Sequence, residues 1–248
     1  MKKLSFLIVL LSINVSANSI LIKSGQINDG LGNSFIGDIL IVDEKIVEVG
    51  KFLNSSSAKI IEAKGKPVTP GLISPISNIG VVEINALDVT NDDSPDFFGP
   101  GFSVFNAFNP HSTLIPWNRS NGVTSSISTP GYSSQIFKGM GSFYLLDGDI
   151  DITGNADVAM YARLGAIGGS RAETIQIMES MFELALNKDE LELEELLGTT
   201  FASSMDMQLQ DIQALSRVVN REIPLVLEVN RAIDILQALR LKNDYDLE

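Results

Sequence analysis

One histidine and no cysteine bound the chemistry open to this sequence. The histidine is His111, within the stretch NPHST at residues 109–113. Without cysteine there are no thiolate zinc sites and no disulfides. A lone imidazole can serve as an acid or base near neutral pH. In this stretch it reads more simply as a loop histidine capping a turn. Asp88, Asp92, Asp93 and Asp96 form an acidic cluster that could draw a cation, although a solvated loop is the plainer reading. The run DELELEE at residues 189–195 alternates acids with Leu191 and Leu193 and reads as one wet helix face. The stretch GAIGG at residues 165–169 lacks the Gly-Lys-Ser/Thr ending and the dinucleotide spacing of a phosphate cradle. No serine sits in Gly-x-Ser-x-Gly, so a nucleophile elbow has no support. The sequon Asn118-Arg119-Ser120 is of the kind that arises by chance.

The elements that must position such groups fall into two regimes. Residues 20–27 are rich in β-formers, and Asn28-Asp29-Gly30 is a turn signal. Residues 37–50 (GDILIVDEKIVEVG) read as a hairpin about Asp43-Glu44-Lys45, and residues 59–64 as a further short strand. Together they predict a small sheet or half of a sandwich. Residues 72–84 predict a buried strand. Residues 86–121 carry Pro, Gly, Asn and Phe with little periodicity and predict a long ordered loop, functional or capping. Strands are then predicted over 122–129, 142–146 and 224–229. Helices are predicted over 170–187 with Ser170 as N-cap, over 207–220 and over 232–241. Alternation of that kind implies parallel strands joined by crossover helices.

The chain has 248 residues, 44% of them hydrophobic, enough for one large domain or two small ones with a real core. Its net charge of −13 repels phosphate backbones and anionic lipid, which argues against nucleic-acid binding and against an electrostatic membrane dock. Residues 1–17 (MKKLSFLIVLLSINVSA) have a basic start at Lys2 and Lys3, a short apolar run and small residues at Val15-Ser16-Ala17. That is an export-signal pattern with cleavage after Ala17, which implies a bacterial periplasm. The rival reading is an uncleaved membrane anchor; no later run reaches transmembrane length.

Residues 60–80 (IIEAKGKPVTPGLISPISNIG), 109–148 and 223–236 (IPLVLEVNRAIDIL) together resemble the amidohydrolase superfamily, in particular its imidazolonepropionase-like, exported members. Residues 60–80 look like the join from β-sandwich to first barrel strand. Residues 109–148, with Asn109-Pro110, Gly122-Val123-Thr124, Thr129-Pro130 and Gly139-Met140-Gly141, look like the second barrel strand and its loop. Residues 223–236 give a weaker match to a strand and helix that carry further metal ligands in relatives. The resemblance implies an α/β fold: a signal peptide (1–17), a small composite β-sandwich portion (18–67) and an incomplete (β/α)8 TIM-type barrel (68–248). It implies hydrolysis of carbon–nitrogen bonds other than peptide bonds, with a divalent metal, usually zinc, activating water.

This sequence departs from that pattern where the metal would sit. The family places His-x-His on one strand, so that alternate imidazoles share a face. Here the matching positions are Ile76 and Asn78, and in the third stretch Glu228 and Asn230. Isoleucine ligates nothing, and amide oxygens are poor zinc donors. Asn78, Glu228 and Asn230 could form an oxygen site for calcium or magnesium; the plainer reading is polar residues at a barrel mouth. Glu83 would have the wrong strand parity for a general base there. No catalytic, cofactor-binding or metal residue is therefore assigned, and no cofactor is expected for this chain. A full barrel takes roughly 250 residues by itself, so the chain is expected to be the first half to two-thirds of such a protein. Three functional expectations remain open: a piece of a hydrolase with a reduced metal site, a catalytically dead periplasmic protein binding a small molecule or partner, or a half-barrel completed by a second chain.

Overall fold

The computed structural model describes residues 18–131, 133–150, 153–165, 169–189, 195 and 197–248. The export-signal expectation at 1–17, most of the acidic run 189–195 and the centre of GAIGG lie outside the described residues. The chain divides into two units, Met1–Pro70 and Gly71–Glu248.

In the first unit, β1 (Ser19–Asn28) is the central strand of a five-stranded sheet. It pairs antiparallel with β2 (Ser34–Val42), which pairs with β3 (Lys45–Gly50). The short strands β4 (Lys59–Glu62) and β5 (Pro67–Val68) both lie parallel to β1. Asp43 and Glu44 turn the β2–β3 hairpin with φ of 47° and 66°, the double left-handed geometry that matches strand twist in a two-residue loop. The buried Asp38 carboxylate accepts from the backbone N–H groups of Ser24 (2.8 Å) and Leu53 (3.0 Å) and so fixes the bulge in β1. The register places Ile20, Ile41 and Ile46 in one row, and Ile22, Ile39 and Val49 in the next. Ile46, Val49 and Ile61 of this apolar face are exposed.

The second unit holds a five-stranded sheet in the order β10-β9-β8-β7-β6. Its strands are β6 (Leu72–Ser77), β7 (Val123–Ser128), β8 (Phe137–Leu145), β9 (Gly154–Arg163) and β10 (Leu225–Glu228). β6 and β7 are parallel, as are β9 and β10. β8 runs antiparallel to both of its neighbours. The expected parallel arrangement is thus corrected at β8, and β7, β8 and β9 follow one another without an intervening helix. The strand expected over 72–84 is also shorter, and it is not buried. It ends at Ser77 because the Asn78 carbonyl accepts from the N–H groups of Val81 and Val82 and starts a turn. Leu72, Ile73 and Ile76 lie on an edge strand and are exposed.

Among the described residues, the α-helices include α1 (Leu114–Ser120), α2 (Arg171–Leu186), α3 (Thr200–Ser204), α4 (Leu209–Val219) and α5 (Ala232–Asp244). The main core lies where Phe137, Met140, Met160 and Ala162 of the sheet meet Met178 and Phe182 of α2 and Ile212 and Leu215 of α4. A smaller core under α1 joins Ile115, Ile79, Phe108, Tyr144 and Leu146. There the Phe108 and Tyr144 rings stack at 3.9 Å, and the Tyr144 hydroxyl donates to the Phe105 carbonyl. Among the described residues no helix is long and apolar enough to cross a membrane.

Helix α2 begins as its sequence predicts. The Ser170 hydroxyl accepts from the Glu173 N–H at 3.1 Å, and the Glu173 carboxylate accepts from the Ser170 N–H. This reciprocal box satisfies two of the donors that a helix start leaves open. Ser170→Ala is expected to cost about 1 kcal/mol, read as a Tm lower by roughly 2–4 °C. An unchanged Tm would mean that α2 is held by its buried face alone.

Candidate functional site

Parallel strands present their carboxyl ends along one edge of a sheet, where α/β folds bind small molecules. In the second unit that edge is formed by the ends of β6, β7, β9 and β10 and, because it runs the other way, the start of β8. A cleft of about 300 Å³ opens there. It is lined by Ile76 from β6, Thr129 and Pro130 after β7, Lys138 from β8, Tyr161 from β9 and Glu228 from β10, with Val226 beside it.

The Lys138 ammonium donates to Glu228 Oε2 at 3.1 Å and ties β8 to β10 across β9. The Lys138 side chain is 20% exposed and that of Glu228 51%. The Tyr161 hydroxyl donates to the Pro75 carbonyl at 3.1 Å, which ties β9 to β6. Its ring lies over Gly141, where a Cβ would come 2.5 Å from Tyr161 Cε2. Nearby, the Ser77 and Ser126 hydroxyls share a hydrogen bond, and the Thr129 N–H donates to the Ser77 carbonyl.

Burial pushes the Tyr161 phenol from 10.0 up to about 12. Burial also raises the Tyr144 phenol, with Asp157 adding to the shift. A folded-state value above the unfolded one means that the folded chain keeps a proton the unfolded chain has lost. The stabilisation is therefore full below pH 10 and is lost as pH rises toward 12. Urea unfolding across that window is expected to show stability falling, with a shallower fall in Tyr161→Phe. Equal slopes in the two proteins would place the loss elsewhere.

Of the positions singled out from sequence, Ile76 and Glu228 meet at this cleft. Asn78 does not, because the strand has already ended; it is exposed in the turn. Asn230 lies beyond β10 and is exposed. The strand-parity argument for Glu83 falls with the shorter strand. Its carboxylate accepts from Asn109 Nδ2 and the Ser112 hydroxyl, both at 3.0 Å, and anchors the loop that follows. The His111 N–H donates to Asn109 Oδ1 in that same loop, so the histidine stands in a turn. Asp88, Asp92 and Asp96 are exposed and Asp93 is half-buried. Among the described residues, no three His, Asp or Glu side chains converge as a metal-holding group.

The donor set at the strand ends does not match zinc. One position is isoleucine, and the carboxylate that remains is already held by an ammonium. Lys138 and Tyr161 were not singled out from sequence. The one available signal was Lys138-Gly139, a polar residue and a glycine inside an apolar run, which marks a bulge.

A second cavity, of about 260 Å³, opens on the helix side of the sheet between Phe137, Ile177, Met181, Met205 and Met207. It holds no charge pair.

No family model matches the chain. It is 47% identical over 57 residues to a 5-methylthioadenosine/S-adenosylhomocysteine deaminase of Thermococcus onnurineus (strain NA1), covering 23% of this chain and 13% of that protein. It is 43% identical over 56 residues to a dihydroorotase of Lactococcus lactis subsp. lactis (strain IL1403), covering 22% of this chain and 13% of that one. The crystal structure of an amidohydrolase from Thermotoga maritima MSB8 superposes with a TM-score of 0.72 at 23% identity, over 92% of this chain and 63% of that one. The chain thus spans less than two thirds of that amidohydrolase, and its matches to the curated relatives span a much smaller share of their length. In sequence over short stretches, and in fold over nearly its whole length, this chain resembles the amidohydrolase superfamily.

Proposed function

We propose that this chain is an amidohydrolase-like protein whose strand-end cleft receives a small molecule with a carbon–nitrogen bond outside any peptide. In this reading it does not by itself perform the metal-dependent hydrolysis that the resemblance implies. The observation that carries the reading is the make-up of the cleft: Ile76 where a ligand would be needed, and Glu228 engaged by Lys138. Metal-assisted hydrolysis needs a cation with an open coordination position to activate water, and these side chains offer it no ligand set. The proposal includes export to a bacterial periplasm with cleavage after Ala17. It also takes the first unit as one layer of a composite β-sandwich and the second as an incomplete (β/α)8 barrel.

Dihydroorotate and S-adenosylhomocysteine, the compounds in the relatives' names, bracket the cyclic-amide and amino-purine chemistries. Incubation of the mature chain with each, with and without added Zn²⁺ or Mn²⁺, is expected to give no turnover above buffer. Metal-dependent turnover would overturn the proposal.

A second reading is favoured by exposed apolar side chains at both borders of the second unit's sheet. Leu72, Ile73 and Ile76 are exposed on the edge strand β6, and Ile233, Leu236 and Leu239 on α5. Monomeric proteins rarely leave such surfaces uncovered together with an open strand edge. Here further polypeptide, on this chain or a second one, completes the barrel and brings the missing ligands. Recovery of a stoichiometric partner of similar size with the tagged chain would support it. A monodisperse monomer that stays soluble would sink it.

A further inference from the structure

We infer that Lys138 is the resident cation of the strand-end cleft, and that it takes the place of a metal ion by presenting an ammonium to a neutral carbonyl-bearing ligand. This rests on the proposal that the cleft is the ligand site. It adds what holds the ligand and which ligands fit.

The placement of Lys138 is built into the sheet. Across β8 and β9, Phe137 pairs with Ala162 and Gly139 pairs with Tyr161. Lys138 is therefore the extra residue of a bulge, a device that re-aims one side chain and is common beside active sites. Its neighbours Phe137 and Met140 enter the core on the helix side of the sheet. Lys138 instead lines the cleft with Tyr161, Val226 and Glu228. The ammonium has three N–H donors, and Glu228 takes one at 3.1 Å. The others are available to an acceptor in the cleft.

Charge sets the ligand class. A divalent ion bound by Glu228 would lie beside the ammonium, so like-charge repulsion adds to the lack of other ligands. Lys138 and Glu228 cancel, leaving a cleft with no net charge between them. The rest of the lining is the Tyr161 ring, Ile76, Pro130, Ala162, Val226 and Leu227, with the Thr129 hydroxyl as a further polar group. An ammonium is a strong donor to a carbonyl oxygen, stronger than a neutral N–H. The ligand that fits is small, uncharged and mainly apolar, with one exposed carbonyl, as in a lactam.

The probes are ZnCl₂ alone and ε-caprolactam, titrated into the mature chain, Lys138→Met and Glu228→Gln, with folding of each checked by circular dichroism. The wild type is expected to show no saturable Zn²⁺ uptake and to bind caprolactam. Affinity for caprolactam is expected to fall about tenfold or more in Lys138→Met, the worth of a charge-assisted hydrogen bond. Glu228→Gln, which keeps the ammonium, is expected to retain binding. One equivalent of Zn²⁺ in the wild type, lost in Glu228→Gln, would overturn the inference. So would caprolactam binding that ignores Lys138→Met, or none in the wild type. Those last two results leave the proposed function to its own turnover assay, whereas zinc uptake with turnover sinks both.

Discussion

Replacing Asp211 by alanine is expected to destabilise the second unit by about 2–4 kcal/mol, because it removes the acceptor of one buried and two part-buried backbone donors. The Asp211 side chain sits in the first turn of α4 and is almost fully buried. Its Oδ1 accepts from the N–H groups of Gly99 at 3.2 Å and Gly101 at 2.8 Å, and its Oδ2 from the N–H of Gln208 at 2.8 Å. One carboxylate thus closes the start of a helix and pins a loop more than a hundred positions earlier in the chain. The loop lies so close to the helix that a Cβ on Gly101 would come 2.8 Å from the Gln210 backbone carbon. Alanine leaves all three donors without their acceptor, the Gly99 N–H in a buried setting and those of Gly101 and Gln208 in part-buried ones. The loss is several times that expected for Ser170→Ala, where the N–H left open is at an exposed helix end and water replaces the hydroxyl. Asp211→Asn separates the contributions. Its amide oxygen can still serve Gly99 and Gly101, but its NH₂ group then faces the Gln208 N–H, donor against donor. Urea unfolding should rank the wild type above Asn, and Asn above Ala. Since a whole domain is held by only about 5–15 kcal/mol, an alanine variant within 1 kcal/mol of the wild type would show that this contact does not hold the loop.

That contact also shows where reading the sequence stopped short. Residues 86–121 were legible as a long ordered segment, but not what orders it. The answers are Asp211 on Gly99 and Gly101, Glu83 on Asn109 and Ser112, and the Phe108 ring on Tyr144. Each joins residues far apart in the chain, and no local pattern announces such a pairing. The first unit was legible because β-branched residues alternate there and Asp43-Glu44-Lys45 marks the hairpin. The apolar run from Leu72 read too far because hydrophobicity does not say where a strand stops. The Asn78 carbonyl decides that by starting a turn, and Gly80, at φ of 80°, sits where a Cβ would collide with the Phe108 ring. Strand β9 was missed because Asn155 and Asp157 break its apolar pattern. Asp157 takes a φ of 52°, while its side chain is held by the Ser103 hydroxyl and Arg217. The direction of β8 was illegible in principle, since a strand's pattern reads the same in either orientation. For the site, spacing found Ile76 and Glu228. It could not find Lys138, because a bulge removes the parity on which spacing arguments depend.

Gly139→Ala is expected to cost about 2–4 kcal/mol and, where β8 relaxes by losing its bulge, to uncouple Lys138 from Glu228. Gly139 has a φ of 121°, a conformation that only glycine adopts without strain. Strain alone is worth about 1–3 kcal/mol. The surroundings add to it, because a Cβ there would come 2.6 Å from the Phe102 carbonyl oxygen and 2.9 Å from Phe102 Cβ. That oxygen cannot step aside cheaply, since it accepts the Met140 N–H at 2.7 Å and holds the segment carrying Ser103 against β8. The variant therefore has two ways to relax. It can push Phe102 away and lose that pairing, or it can straighten β8 and remove the bulge. Straightening shifts the strand by one residue, and a one-residue shift turns a side chain to the opposite face. Lys138 would then point toward Met160, Phe182 and the rest of the apolar core, where an unpaired ammonium is not tolerated. The first route preserves the ion pair and costs stability only; the second abolishes the pair. A double-mutant cycle decides between them: the Lys138→Met and Glu228→Gln coupling, measured by urea unfolding, should be clear in the wild type and absent in Gly139→Ala if the bulge is what aims the lysine. An alanine variant as stable as the wild type, with the coupling intact, would mean that neither the backbone conformation nor the contact with Phe102 determines where Lys138 points.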